Sequence, residues 1–174
     1  EHWAKIYNLK QAARTLNFLT ENRIDSYAEL SAKIAEVNAA SEQAAGALKG
    51  VERRLADMAV LIKHITTYQK TKPVYDAYRR AKDKAAYRAA HESSIILFEA
   101  AAKAVKPALV GGKLPNVAAL QAEYAALGEQ KEKLYADYGK LKKQVKEYDV
   151  IKRNIDSILR RESEPERGKE NVRG

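Results

Sequence analysis

The chain has 174 residues, no cysteine, 8 glycines and 4 prolines, and its 32 basic and 23 acidic residues leave a formal charge of +9. The missing cysteine excludes disulfides, thiolate metal sites and thiol nucleophiles, and no stretch approaches the roughly 18 apolar residues of a membrane span. Ala, Leu, Glu, Lys and Arg dominate, which is the composition of long helices with a thin, alanine-rich core.

The spacing predicts a first helix over 2–20, with Trp3, Ile6, Leu9, Ala13 and Leu16 on one face and Leu19 beside it. Asn22 suits a left-handed stop. Ser26 and Glu29 form a capping box, in which the hydroxyl accepts from the Glu29 amide and the carboxylate reaches back to the Ser26 amide. A long second helix follows over about 27–70. Its seam recurs at gaps of four and three through Leu30, Ile34, Val37, Ser41, Ala44, Leu48, Val51, Leu55, Met58, Ile62 and Ile65, the 3.5-residue period of a coiled-coil seam. Gly46 and Gly50 inside it suggest a close backbone contact, because exposed glycine costs a helix roughly 1 kcal/mol.

Pro73 is expected to break that helix and to open a middle helix over about 74–106. Ile95, Ile96, Leu97 and Phe98 make the middle helix apolar nearly all round, which predicts burial by more than one neighbour. Residues 106–115 read as a loop, and Asn116 as the cap of a fourth helix over about 117–159. That helix carries a second seam, including Val117, Leu120, Leu127, Leu134, Leu141, Val145, Ile155 and Leu159, with Tyr124, Tyr138 and Tyr148 on the same line. Lys131 and Lys152 also fall on core-like positions and suit a role in register or partner choice. The expected fold is all-α: an elongated helical bundle or coiled coil forming one domain over 1–160, followed by a charged, disordered tail over 161–174. A helical hairpin and a three-helix up-down-up arrangement both fit, and they differ in whether the two long helices run antiparallel or parallel.

The pattern holds little for catalysis. His2, His64 and His91 have no metal-ligand spacing, and Gly111-Gly112 lacks the strand and helix of a phosphate loop. No catalytic residue, metal ligand or cofactor is assigned. The charge is more informative: residues 71–115 carry nine basic and four acidic groups, the largest local excess. Arg79, Arg80, Lys82, Lys84 and Arg88 interleave with Tyr75, Tyr78 and Tyr87. This is a candidate nucleic-acid interface in which cations meet phosphates and Tyr78 stacks on bases. The alternative is a solvated helical face. A second group, Lys140, Lys142, Lys143, Lys146, Lys152 and Arg153, reads as coiled-coil flanks.

Four ordered blocks, WAKIYNLKQAARTLNFLTEN, HESSIILFEAAAKA, LPNVAALQAEYAAL and YADYGKLKK with VIKRNIDSIL, resemble the C-terminal helical region of relaxase or mobilisation nucleases of conjugative and mobilisable elements from Firmicutes. The start at Glu1, within a helical pattern and without an initiator Met, agrees with a segment of a longer protein. Such relaxases nick DNA with an N-terminal domain that uses a tyrosine nucleophile and a histidine-bound metal. This chain has no histidine triad and no tyrosine that matches the nucleophile. The resemblance therefore implies a cytoplasmic, non-catalytic accessory module for plasmid or transposon transfer. Its implied partners are DNA at the transfer origin, mobilisation or secretion proteins, or a second copy of itself, and no membrane. A purely structural coiled-coil spacer or oligomerisation module is the alternative.

Overall fold

The computed structural model describes residues 2–163, with side chains from Lys5 onward, so the expected disordered tail lies from Glu164 on outside the described residues. Among the described residues the fold is all-α: α1 (His2–Glu21), α2 (Tyr27–Arg80), α3 (Lys84–Ala90), α4 (Glu92–Val105), a 3-10 turn (Lys106–Ala108) and α5 (Val117–Ser163). No described helix is long and apolar enough to cross a membrane. The residues group into two compact units, one of 2–46 with 136–163 and the other of 47–135.

In the first unit, α1 ends on the hydrogen bonds of a Schellman motif. The Ile24 amide donates to the Leu19 carbonyl at 2.9 Å and the Arg23 amide to the Thr20 carbonyl at 3.2 Å. The left-handed residue is Arg23, with φ 53°, and not the Asn22 suggested by the sequence. Asn22 instead turns its side-chain amide back to the Phe18 carbonyl at 2.8 Å. Leu19 packs against the core cluster that includes Ile24. Ser26 caps α2 as expected, accepting from the Glu29 amide at 3.1 Å. The reciprocal bond is displaced by one residue: the Glu29 carboxylate accepts from Asp25 at 2.7 Å. Ile24, Leu30, Tyr148 and Ile151 form the buried core here, and Phe18 meets Tyr148 edge-to-face with ring centroids 5.1 Å apart.

The core of the second unit is Met58, Ile65, Val105 and Leu120. Two cross-helix ion pairs flank it, Arg54–Glu123 at 3.1 Å and Lys131–Glu52 at 3.8 Å. Lys131 thus sits half-buried on the seam with a carboxylate partner, whereas Lys152 is exposed.

In each unit α2 and α5 run antiparallel. Early α2 meets late α5 in one, where the Tyr27 hydroxyl donates to Asp156 at 3.0 Å, and late α2 meets early α5 in the other. This excludes the parallel up-down-up alternative.

The largest departure from expectation is at Pro73. The helix does not stop there but continues to Arg80 with the proline inside it. The residues expected to form one middle helix over 74–106 are instead the end of α2, two short helices and the 3-10 turn. Aromatic stacking accounts for the continuity: Tyr68 and Tyr75, on either side of Pro73, both lie on Phe98, with ring centroids 4.8 and 4.2 Å away. Offset ring pairs are worth roughly 0.5–1.5 kcal/mol each beyond burial, so two of them rival the cost of a proline in mid-helix.

In α4, Ile95, Phe98, Ala101 and Val105 are buried on a single stripe. Ile96 and Leu97 are about half exposed, at 50% and 52%, so the expected burial all round does not occur. The close contact anticipated at Gly46 and Gly50 is also absent, since a Cβ at either position would meet nothing within 4 Å. Gly111 and Gly112 do have a backbone role. Their φ values of 57° and 77° shape a tight two-residue turn closed by reciprocal 3.0 Å hydrogen bonds between Val110 and Lys113.

Candidate nucleic-acid interface

The basic segment is a corner and not one helical face. α2 ends at Arg80, and the turn through Lys82 re-enters helix at Lys84 because Asp83 caps α3, accepting from the Ala86 amide at 3.0 Å. The seven-residue α3 stops at His91, and α4 follows at once. Two short breaks of this kind interrupt the helical periodicity, so residues that meet can lie far apart in the sequence.

The tyrosines expected to face nucleic-acid bases are stacked on one another. From Phe98 the ladder runs to Tyr75, then to Tyr78 at 5.8 Å, Tyr87 at 6.5 Å and His91 at 4.3 Å. Tyr75, Tyr78 and Tyr87 are all half-buried. Arg88 is held as well. Its guanidinium forks onto Glu99 at 3.0 and 3.4 Å and lies 5.8 Å over the Tyr78 ring. The Glu99 hydrogen bonds, and then Tyr78 beside them, raise its pKa further above the ordinary arginine value. Lys72 pairs with Asp76 at 2.7 Å. That hydrogen bond, with the charges of Lys72, Arg80 and Arg79, holds the Asp76 carboxyl below its usual range.

Four cations remain. Arg79, Arg80, Lys82 and Lys84 are exposed, and none forms an ion pair among the described residues. Arg79 and Arg80 also sit on the last turn of α2, where cations offset the negative end of the helix dipole. The corner thus keeps the charge expected from the sequence, while Tyr78 and Arg88 serve its internal packing.

No family model, curated protein or solved structure matches this chain.

Among the described residues no group of three His, Asp or Glu side chains could hold a metal ion. The second lysine group is exposed along α5, with Lys142 lying 5.4 Å over the Tyr138 ring. A cavity of about 520 Å³ opens in the first unit, walled by Leu16, Leu19, Ile24, Leu30, Ile155 and Ile158. The sequence reading missed it. Ile24 lies in an inter-helix turn, and Ile158 stands one residue off the predicted α5 seam. Glu99, the partner of Arg88, was also missed, since it lies eleven residues away across the helix break at His91 and leaves no local signal.

Proposed function

We propose that this chain is a non-catalytic helical module that contacts the phosphate backbone of nucleic acid through the α2–α3 corner. One observation carries the reading: four exposed cations within six residues have no carboxylate paired to them among the described residues. Clustered Lys and Arg side chains displace the counterions condensed on nucleic acid, and this supplies sequence-independent affinity. The self-stacked tyrosines favour contact by charge over base stacking. The resemblance of the sequence blocks to relaxase C-terminal regions supports a setting in DNA mobilisation, at a transfer origin in the cytoplasm, where mobilisation or secretion proteins would be further partners.

The test is a fluorescence-anisotropy titration with a labelled duplex at several salt concentrations. Neutralising about four phosphates gives a slope of log affinity against log salt of roughly −3.6, or about a hundredfold loss between about 50 and 200 mM salt. Joint reversal of Arg79, Arg80, Lys82 and Lys84 to Glu abolishes binding, and Tyr78→Ala changes it less than about twofold. Absence of binding at low salt rejects the proposal. A structural or oligomerisation role is the second reading, favoured by the exposed leucines of α1.

A further inference from the structure

α1 turns a polar residue, Thr15, inward beside Phe18. Thr15 is 2% exposed, and its hydroxyl donates to the Gln11 carbonyl at 2.8 Å and accepts from the Asn154 side chain at 3.1 Å. Two leucines of the same helix face outward, Leu9 at 70% and Leu16 at 64% exposure, while Leu19 packs on the core. A helix that turns a threonine to the core and two leucines, two turns apart, to water has an apolar face suited to a second neighbour.

That face is continuous with the 520 Å³ cavity, because Ala12, Leu16 and Leu19 are its α1 wall. Ile155, Ile158 and Leu159 of α5 form the wall opposite. The rim is acidic. Asp25 borders the groove, and the Asp156 carboxylate lies at its edge through the Tyr27 hydroxyl at 3.0 Å. The Asp25 carboxylate has no hydrogen bond or ion pair among the described residues.

We infer that this groove seats α1 of a second copy of the chain, laid antiparallel to the first. Charge selects the occupant: from Lys5 to Thr20 the charged residues of α1 are Lys5, Lys10 and Arg14, all basic, and Lys5 and Lys10 flank Leu9. In the antiparallel arrangement the N-terminal half of one α1 lies along the C-terminal half of the other. Leu9 then enters the groove beside Leu16 of the second copy, and the lysines approach its Asp25 and Asp156. Shape agrees with charge. Leu9 and Leu16 are equidistant from the Ala12–Ala13 junction, so a two-fold axis there sets leucine beside leucine twice, with alanines between them that let the backbones approach. Each copy uses the same surface, as an isologous interface requires. The inference does not depend on the nucleic-acid reading, whose corner lies in the other unit.

Sedimentation velocity on the full chain over a wide concentration range tests it. A concentration-dependent dimer is expected, and Leu16→Glu weakens it at least tenfold while circular dichroism shows unchanged helicity. Lys5→Glu weakens it severalfold, and adding Asp25→Lys restores it. A chain that stays monomeric at every concentration overturns the inference. So does a dimer that survives Leu16→Glu, or one that the paired charge reversal fails to restore.

Discussion

The passage of α2 through Pro73 is open to a direct energetic test. The proline is exposed, and its ring nitrogen has no hydrogen to give to the Gln69 carbonyl one turn back. Relative to alanine, an interior proline disfavours a helix by about 3 kcal/mol, through the lost hydrogen bond and the clash of the ring with that carbonyl. Replacing it also frees the unfolded chain, which takes back roughly 0.4–1 kcal/mol. Pro73→Ala is therefore expected to stabilise the protein by about 2 kcal/mol. The assay is urea unfolding followed by circular dichroism, with a raised midpoint and an unchanged slope. The competing arrangement, in which α2 stops before Pro73 and a new helix begins there, gives the opposite sign. At a first helical position proline is preorganised and its missing N–H matters little, so alanine would lower stability. A neutral or destabilising result refutes the continuous helix and, with it, the claim that the Tyr68–Phe98–Tyr75 stack holds the proline in place.

Gly50→Ala is expected to raise stability by about 1 kcal/mol in the same assay, since the added methyl meets nothing within 4 Å. Two isoleucines one residue apart should behave as opposites. Ile95→Ala removes a side chain with 0% exposure and costs about 2–5 kcal/mol, whereas Ile96→Ala, at 50% exposure, stays within about 0.5 kcal/mol. The hydrogen bond from Tyr27 to Asp156, followed by burial, raises the tyrosine pKa above its ordinary 10.0. The neutral phenol is favoured by folding, so its contribution is fully present below the unfolded pKa and is lost as pH rises through the folded one. Phenolate absorbance should show Asp156→Ala bringing the Tyr27 ionisation down; an unchanged titration would remove the hydrogen bond as its cause.

The seams were legible because they rest on a period that only helix pairing requires. Leu30, Leu48, Leu55, Met58 and Ile65, read from spacing alone, are all buried in the structure. Asn116 was legible for a similar reason, since a short acceptor before an apolar run satisfies orphan amides; it accepts from Ala118 and Ala119 at 2.8 and 3.2 Å. Local rules failed where tertiary contacts outweighed them. Proline is a strong helix breaker in isolation, but two ring stacks that span it are invisible to a scan of neighbours. α1 failed differently. Its apolar stripe was read correctly as a stripe, but periodicity says that a face wants cover and not which neighbour provides it. Here Thr15 and Phe18 turn to α5 while Leu9 and Leu16 stay outside.

Counting charge along the chain gives an upper limit to the charge free to bind a partner. Between Lys72 and Arg88 there are six cations and three tyrosines. Helical spacing alone allows a pair of Asp76 with Arg80, four residues apart. The contacts formed instead are Asp76 with Lys72 and Arg88 with Glu99, the second bridging α3 and α4. The tyrosines are taken up in the same way, each stacked on a ring of its own chain. What remains is four cations around a tight reversal. A flat helical face would present its charges along one line at about 5.4 Å per turn. A corner gathers them from a helix end, a turn and a helix start, which lets them meet phosphates on a curved backbone without a long basic helix. On the proposed reading, the α2–α3 break at Asp83 bears on binding as directly as the cations do. Removing the cap by Asp83→Ala should weaken salt-dependent DNA binding although it makes the site more positive, an outcome that charge counting alone predicts with the wrong sign.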